Sequence, residues 1–476
     1  MTDQALEQAA RHAQAYLAAL DRRPAGAAVS LAELRHRLNR PLDDAGVDAS
    51  QVISELAADA EPGLAGSAGG RFFGWVIGGA SPAAIGADWL TSAWDQNAVL
   101  YACSPAAAIV EEIAGAWIKE ILGLPAQASF AFVTGGQMAH VTCLAAARHA
   151  LLLKQGWCVE EQGLCGAPPI RILTSATGHG SIARAATLLG LGRNSIEPLA
   201  ADPDGRVEPA ALARALKEPG PAILVLQAGD IATGAYDDFE TLIPMAKERG
   251  AWVHIDGAFG LWAAASARTR HLLRGVGAAD SWATDGHKWL NVPFDSGYAF
   301  VADPAAHFAA MSHRAVYLTH DEEARDQIDW TPDWSRRARG FATYAALRAL
   351  GREGVAELIE RSCGHARRLI DDVRNLPGVE IVREPIINQA LLSFCDPRED
   401  ANEADHNLET DRVIAAVNDS GEAFFSGSTW WGVRVMRVSV CNWRTRADDI
   451  DRASAAIRAA LFQRGPNGTS MGTRLR

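Results

Sequence analysis

The chain has 476 residues, 48% hydrophobic and 21% charged, enough for one large core and a second, smaller one. Its 57 acidic residues outnumber the 45 basic ones, for a formal charge of −12, so overall electrostatics suggest no nucleic acid or anionic membrane as partner. No basic leader precedes an apolar run and no stretch approaches ~18 uninterrupted apolar residues, so the expectation is a cytoplasmic protein with a small-molecule ligand.

Residues 1–60 read as helices, with helical spacing of apolar positions in ALEQAARHAQAYLAAL and LAELRHRL and a stop at Pro41. The glycine-rich GLAGSAGG (63–70) follows as a hinge. From there to about residue 300, short apolar runs (FAFV, PIRILTS, AILVLQAG, AWVHIDG, SWATDG, GYAFVAD) alternate with helical patterns. That rhythm predicts an α/β fold, a mostly parallel sheet with helices on both faces. After RRARG (336–340) come one long helical pattern, FATYAALRALGREGVAELIERSCGHARRLIDDVRN, then strand-like VEIVRE, ALLSFC and VRVMRVSV, and a closing helix. These make a small α+β domain, so the expected division is 1–70, 71–345 and 346–476. The last residues, RGPNGTSMGTRLR, have the composition of a frayed tail. Seven cysteines without a C-x-x-C pair suit a reducing compartment, and the absence of H-E-x-x-H argues against a metal site.

Ligands of α/β sheets collect at the carboxyl ends of strands, and four such ends carry unusual residues. In FAFVTGGQMAH, Gly135, Gly136 and Gln137 lie between strand and helix, either a plain turn or a place where backbone N–H groups and the helix dipole favour a phosphate. In RILTSATGHGSIARAA, His179 stands between two glycines and can lie flat against a ligand. The same stretch, Gly178 to Ala183, also fits the G-x-G-x-x-A dinucleotide pattern of an oxidoreductase. In AWVHIDGAFG a buried strand ends in Asp256, which needs a cationic partner. In SWATDGHKW, Lys288 is a cation in an apolar segment, which must be paired or must lose its charge. Together these groups suit a phosphorylated pyridine aldehyde. Lys288 would bond the aldehyde carbon, Asp256 would keep the ring nitrogen protonated, and His179 would stack on the ring.

DGHKW, HIDGAFG and GHGSIARA resemble the group II pyridoxal-phosphate-dependent amino-acid decarboxylases, with a match running from about residue 71 to 445. The resemblance implies the type I aminotransferase-like fold, a homodimer with N-terminal helices wrapped around the partner, and pyridoxal 5′-phosphate bound by the large domain. It gives Lys288, His179 and Asp256 the catalytic roles just described, and places Ala258 under the ring. Gly136, Gln137, Asp285 and His287 fall around the phosphate, and Phe73, Trp94, Asn97 and Val99 in segments that shape the substrate pocket, partly across the dimer interface. The implied reaction is α-decarboxylation of an amino acid. Two departures stand out. Gly229-Asp230-Ile231 replaces a hydroxyl-bearing Gly-Thr-Thr, leaving Thr233 as a possible substitute. The loop 318–335 lacks the tyrosine that returns a proton to Cα, Gln327 falling near its place, so aldehyde-forming decarboxylation or retro-aldol cleavage is the alternative outcome. Arg437 either touches substrate or pairs structurally.

Overall fold

A computed structural model of the chain describes residues 2–27, 29–42, 44–313 and 324–462. They form two compact units, one made of residues 78–364 and 383–390, the other of the chain up to 77, 365–382 and from 391 onward.

The first unit is built on seven strands: β1 (Ser129–Val133), β2 (Arg171–Ser175), β3 (Ile196–Leu199), β4 (Ala222–Gln227), β5 (Trp252–Asp256), β6 (Ser281–Asp285) and β7 (Gly297–Val301). Their order is β1-β7-β6-β5-β4-β2-β3. Every neighbouring pair from β3 to β6 is parallel, and β7 runs antiparallel to both β6 and β1. Strands β1, β4, β5, β6 and β7 are buried at every residue, which is why they read as continuous apolar runs rather than alternating ones. Strand β3 escapes a sequence reading because it is short and carries Pro198, which an edge strand tolerates. The helix Gly136–Leu153 packs on one face of the sheet, its Ala139, Leu144 and Ala147 in one core with Ile172, Val225, Ala283 and Val301. With β7 reversed, β1, β2, β4, β5 and β6 all point the same way, so Val133, Ser175, Gln227, Asp256 and Asp285 arrive at one rim.

The second unit holds β8 (Val379–Arg383), β9 (Gln389–Phe394), β10 (Ser426–Trp430) and β11 (Val433–Ser439), in the order β10-β11-β9-β8. Strand β10, SGSTW, lacks the β-branched composition that announces a strand. Its pairing comes from a two-residue turn at Trp431 and Gly432, both at positive φ (48° and 93°). Three N-terminal helices, α1 (Thr2–Ala19), α2 (Leu31–Leu38) and α3 (Ala49–Ala60), belong to the same unit. GLAGSAGG is packed rather than hinge-like: the Gly66 N–H bonds the Ala25 carbonyl, and the Gly69 and Gly70 carbonyls accept from the side chains of Asn442 and Thr445. The compact unit that holds this stretch runs on to Ile77. The helical pattern from Gly340 to Val373 is two helices meeting at Gly351 (φ 62°, ψ −178°), and the second division falls at 364, beyond that break. The tail expected to fray lies outside the described residues. Among the described residues no helix is long and apolar enough to cross a membrane.

Candidate active site

Three of the expected groups meet in one charged cluster. Lys288 Nζ lies 3.1 Å from Asp285 Oδ2, and the Gly136 N–H at the start of its helix donates to Asp285 Oδ1. A Cβ on Gly136 would come within 2.9 Å of Asp285 Oδ2, so glycine is what lets the helix end approach the carboxylate. The resemblance places Asp285 beside a phosphate, yet its carboxylate is committed to Gly136 and Lys288 and would repel an anion. The N–H groups of Met138 and Ala139 turn back to the Gly135 carbonyl, which leaves the Gln137 N–H at the head of the helix for an anion. His287 stands beside it, stacked on Phe294 with ring centres 4.2 Å apart. Burial pushes its pKa down, and its Nδ1 accepts the Ser296 N–H, so its neutral ring carries the proton on Nε2, 3.5 Å from Asp285 Oδ1.

Asp256 ends β5, buried, with the Ala258 N–H donating to its Oδ1. Burial raises its pKa, but His140, His179 and Lys288 outweigh this and hold it below the ordinary carboxylate range. Behind it runs a chain of contacts. His140 Nε2 is 3.6 Å from Asp256 Oδ2; His140 Nδ1 meets His254 Nε2 at 2.9 Å; His254 Nδ1 meets Ser281 Oγ at 2.9 Å; and Trp252 Nε1 donates to that Oγ at 2.9 Å. Burial pushes both imidazoles down, His254 to about 3, so both are neutral at pH 7. The arrangement of protons that turns a donor toward the ionised Asp256 is Trp252 to Ser281, Ser281 to His254 Nδ1, His254 Nε2–H to His140 Nδ1, and His140 Nε2–H toward Asp256. His254, two residues before Asp256 on the same strand face, was legible from strand periodicity; His140 required the fold.

His179 caps the helix Gly180–Leu188, its Nδ1 accepting the Ser181 N–H at 3.3 Å and bonding Ser181 Oγ at 2.8 Å. That occupies a helix-end donor a pyrophosphate would need, which removes the physical basis for the dinucleotide pattern. The ring remains exposed at the mouth of a cavity lined also by Gln227, Gly229, Ile231, Asp256, Ala258, Phe259 and Lys288. A cleft of about 440 Å³ adjoins it, bordered by Gly135, Gly136, Gln137, Asp285 and His287. A larger groove along Leu122 and Arg270–Gly277 lies before β6 and β1, at the amino ends of these strands, and brings none of these groups together.

The residues expected to shape the substrate pocket, partly across a dimer interface, have the following places in the single chain. Trp94, closing α4 (Pro82–Trp94), is half exposed and meets the edge of Phe341; the exposed Asn97 accepts from the Arg336 N–H at 3.1 Å; Val99 packs with Leu100 and Ile328. None lines the two cavities. Phe73 belongs to the other unit, stacked on Phe425 with ring centres 5.2 Å apart, as does the buried Arg437, opposite Ser426 on β11. The Thr233 hydroxyl is committed to the Asp204 carbonyl and Asp230, so it cannot stand in for the missing hydroxyls. Of the 318–335 loop, residues 318–323 lie outside the described residues. Gln327 is fully buried, its amide donating to the Ala108 carbonyl at 3.4 Å, and an amide is no acid.

The set suits pyridoxal phosphate: an amine, an ionised acid for a ring nitrogen, an open N–H and His287 for a phosphate, and the buried Gln227 Nε2, which has no partner among the described residues. Comparison with known proteins leads the same way. A family model described as the pyridoxal-dependent decarboxylase conserved domain matches residues 32–394. An L-2,4-diaminobutyrate decarboxylase of Rhizobium meliloti is 28% identical over 79% of this chain and 74% of its own length. The acidic amino acid decarboxylase of Mus musculus is 26% identical over 69% of this chain, which spans only 60% of that relative. Human cysteine sulfinic acid decarboxylase is 25% identical over 77% of this chain and 75% of its own. The fold is similar to that of an Oryza sativa TDC crystallised with PLP and tryptamine, at TM-score 0.90, 22% identity and coverage of 96% of this chain and 97% of that one.

Proposed function

This chain belongs to the pyridoxal-dependent decarboxylase family, whose cofactor is pyridoxal 5′-phosphate, and we propose that it removes the α-carboxyl group of an amino acid as carbon dioxide, leaving the amine, with Lys288 at the centre of the site. When bound, the cofactor supplies an electron sink for the bond that breaks at Cα. The protein's own residues do the rest. Lys288 presents its amine where Asp285 holds it. Asp256, kept ionised, would meet the ring nitrogen and maintain its proton, and His179 would cover the ring from the mouth of the cavity. The Gln137 N–H and His287 would hold the phosphate, and Ala258 would leave room for the ring. The observation that carries this reading is the meeting of Lys288, Asp285, Gly136 and Asp256 at one rim of the sheet.

The test is borohydride reduction of the yellow protein followed by peptide mass analysis. The cofactor mass should appear on Lys288, and Lys288→Ala should carry no such mass and turn over at least ~10³-fold more slowly. An amino-acid panel read by mass spectrometry should yield an amine shorter by carbon dioxide. Release of an aldehyde with glycine, or amine exchange alone, would sink α-decarboxylation. An aldehyde with ammonia, carbon dioxide and hydrogen peroxide, dioxygen and water being consumed, would fit the second reading, which the lack of tyrosine in 318–335 favours.

We also infer a homodimer and a cytoplasmic setting. Exposed Trp89, Leu90 and Trp94 on α4 and Ile109 and Ile113 on α5 (Pro105–Leu122) support the first. Covering that face with a second copy would give Trp94, Asn97 and Val99 a route to the partner's substrate. Seven free cysteines support the second.

A further inference from the structure

We propose that Gln227 is a cofactor ligand, its side-chain amide donating to the oxygen on C3 of the pyridine ring, an inference that rests on the cofactor being held at this rim as described above. Pyridoxal phosphate carries its aldehyde on C4, with the phosphate arm on one neighbouring carbon and the oxygen on the other. The two substituents therefore leave the ring on opposite flanks of the carbon that Lys288 bonds. In this sheet the phosphate side is fixed by the helix after β1 and by His287 after β6, and Asp256 ends β5 between them and β4. A ring whose arm points toward β1 and whose nitrogen meets Asp256 turns its C3 oxygen toward β4. That oxygen is negatively charged or shares a proton with the lysine nitrogen, and it needs a donor in a dry site.

Strand β4 ends in Gln227, whose Cα pairs in register with Asp256, so the two side chains rise on the same side of the sheet. Gln227 is 5% exposed, lines the cavity with Asp256, Ala258 and Lys288, and its Nε2 is buried without a hydrogen-bond partner among the described residues. Its backbone is held on both sides by Asp237: the Gln227 N–H donates to Asp237 Oδ2 at 2.7 Å, and the Asp237 N–H to the Gln227 carbonyl at 3.1 Å. The side chain is thereby aimed and left unspent. A buried amide without a partner is costly, and a ligand oxygen in the cavity that Gln227 lines removes that cost. The turn that follows offers no competitor. Gly229 and Ile231 bring no side-chain donor, the Gly229 N–H is spent on the Ala235 carbonyl, Thr233 is committed to Asp204, and the Asp230 carboxylate accepts the N–H groups of Ala232 and Thr233. Gln227 thus supplies what the absent hydroxyls at 230 and 231 do not.

The experiment uses 3-deoxypyridoxal 5′-phosphate, which lacks only the oxygen in question. Dissociation constants for it and for pyridoxal 5′-phosphate are measured by quenching of tryptophan fluorescence, on the wild type and on Gln227→Leu and Gln227→Met. The expected result is an increase of about tenfold for the natural cofactor and less than about twofold for the deoxy form in both variants. Equal weakening toward both compounds, or toward neither, would overturn the assignment while leaving the cofactor site standing. A wild-type protein that acquires neither compound on Lys288 would instead remove the reading beneath it. Because each variant serves as its own control, a variant that folds poorly loses both affinities and is read as the overturning result only if the companion substitution agrees.

Discussion

His140 commits polar chemistry to a dry interior: with His254, Ser281 and Trp252 it forms a one-directional run of donors that ends facing Asp256. Removing it by His140→Leu would leave His254 Nε2 without an acceptor and Asp256 without the imidazole N–H that faces its Oδ2. The expected cost is about 1–3 kcal/mol, from a buried group left unsatisfied, seen as a lower urea midpoint, together with weaker cofactor binding and a shifted pH profile of the cofactor's visible absorbance. His140→Asn, which keeps a donor and an acceptor, should recover part of the absorbance profile; if leucine and asparagine behave alike there, the run does not act on Asp256. At this scale the sequence was legible where chemistry is announced by position. A lysine after a buried strand, an acid ending another and a histidine between glycines are each conspicuous, and the fold brings all three to one cavity. Gln227 and His140 were not legible, because a glutamine at a strand end and a histidine inside an alanine-rich helix look ordinary until the order of the sheet supplies their neighbours.

Helix α4 shows how an element can be correct in one chain and incomplete by itself. Its Trp89, Leu90 and Trp94 are 42%, 47% and 47% exposed, more apolar surface than a lone soluble helix ordinarily leaves to water. Sedimentation equilibrium should give about twice the 50.7 kDa of one chain. The double change Trp89→Glu with Leu90→Glu should shift this toward one chain at micromolar concentration and lower turnover with it, since desolvating a carboxylate at an apolar interface costs several kcal/mol. A wild type that sediments as a single chain would end the dimer proposal. Elements of the large unit were readable from the sequence because buried parallel strands are uninterrupted apolar runs between helical patterns. What was missed follows from the same physics: β3 is short and holds a proline, and β10 is polar, its pairing set by Trp431 and Gly432 rather than by its own residues. The helix break at Gly351 lies within an unbroken helical pattern, and a positive φ leaves no trace in hydrophobic spacing.

For the molecule as a whole, the distribution of buried histidines decides how stability depends on pH. Burial pushes His254 and His307 down to about 3, and lowers His140 and His287 as well. His307 is locked between Ser129 Oγ and the Trp330 carbonyl, each at 2.8 Å. Between about pH 4.5 and 6.5 these rings are protonated in the unfolded chain, whose histidines titrate near ~6.5, while at least His254 and His307 remain neutral in the folded one. The unfolded state then binds more protons, so stability rises with pH across this window and is lost as pH falls through it. Asp237 opposes the trend. Burial raises its pKa to about 7, so in the same window the folded chain holds one proton there that the unfolded chain has released, which offsets one of the two from His254 and His307. The net slope is therefore positive, and urea midpoints measured at fixed protein concentration should climb from pH 4.5 to 6.5. His307→Gln keeps a donor for Trp330 and an acceptor for Ser129 but cannot titrate, so it should flatten the slope by about one proton, or ~1.4 kcal/mol per pH unit. Asp237→Asn should steepen it by a similar amount. Parallel curves for the wild type and His307→Gln would mean that His307 titrates alike in both states, and that its burial between Ser129 and Trp330 does not keep it neutral.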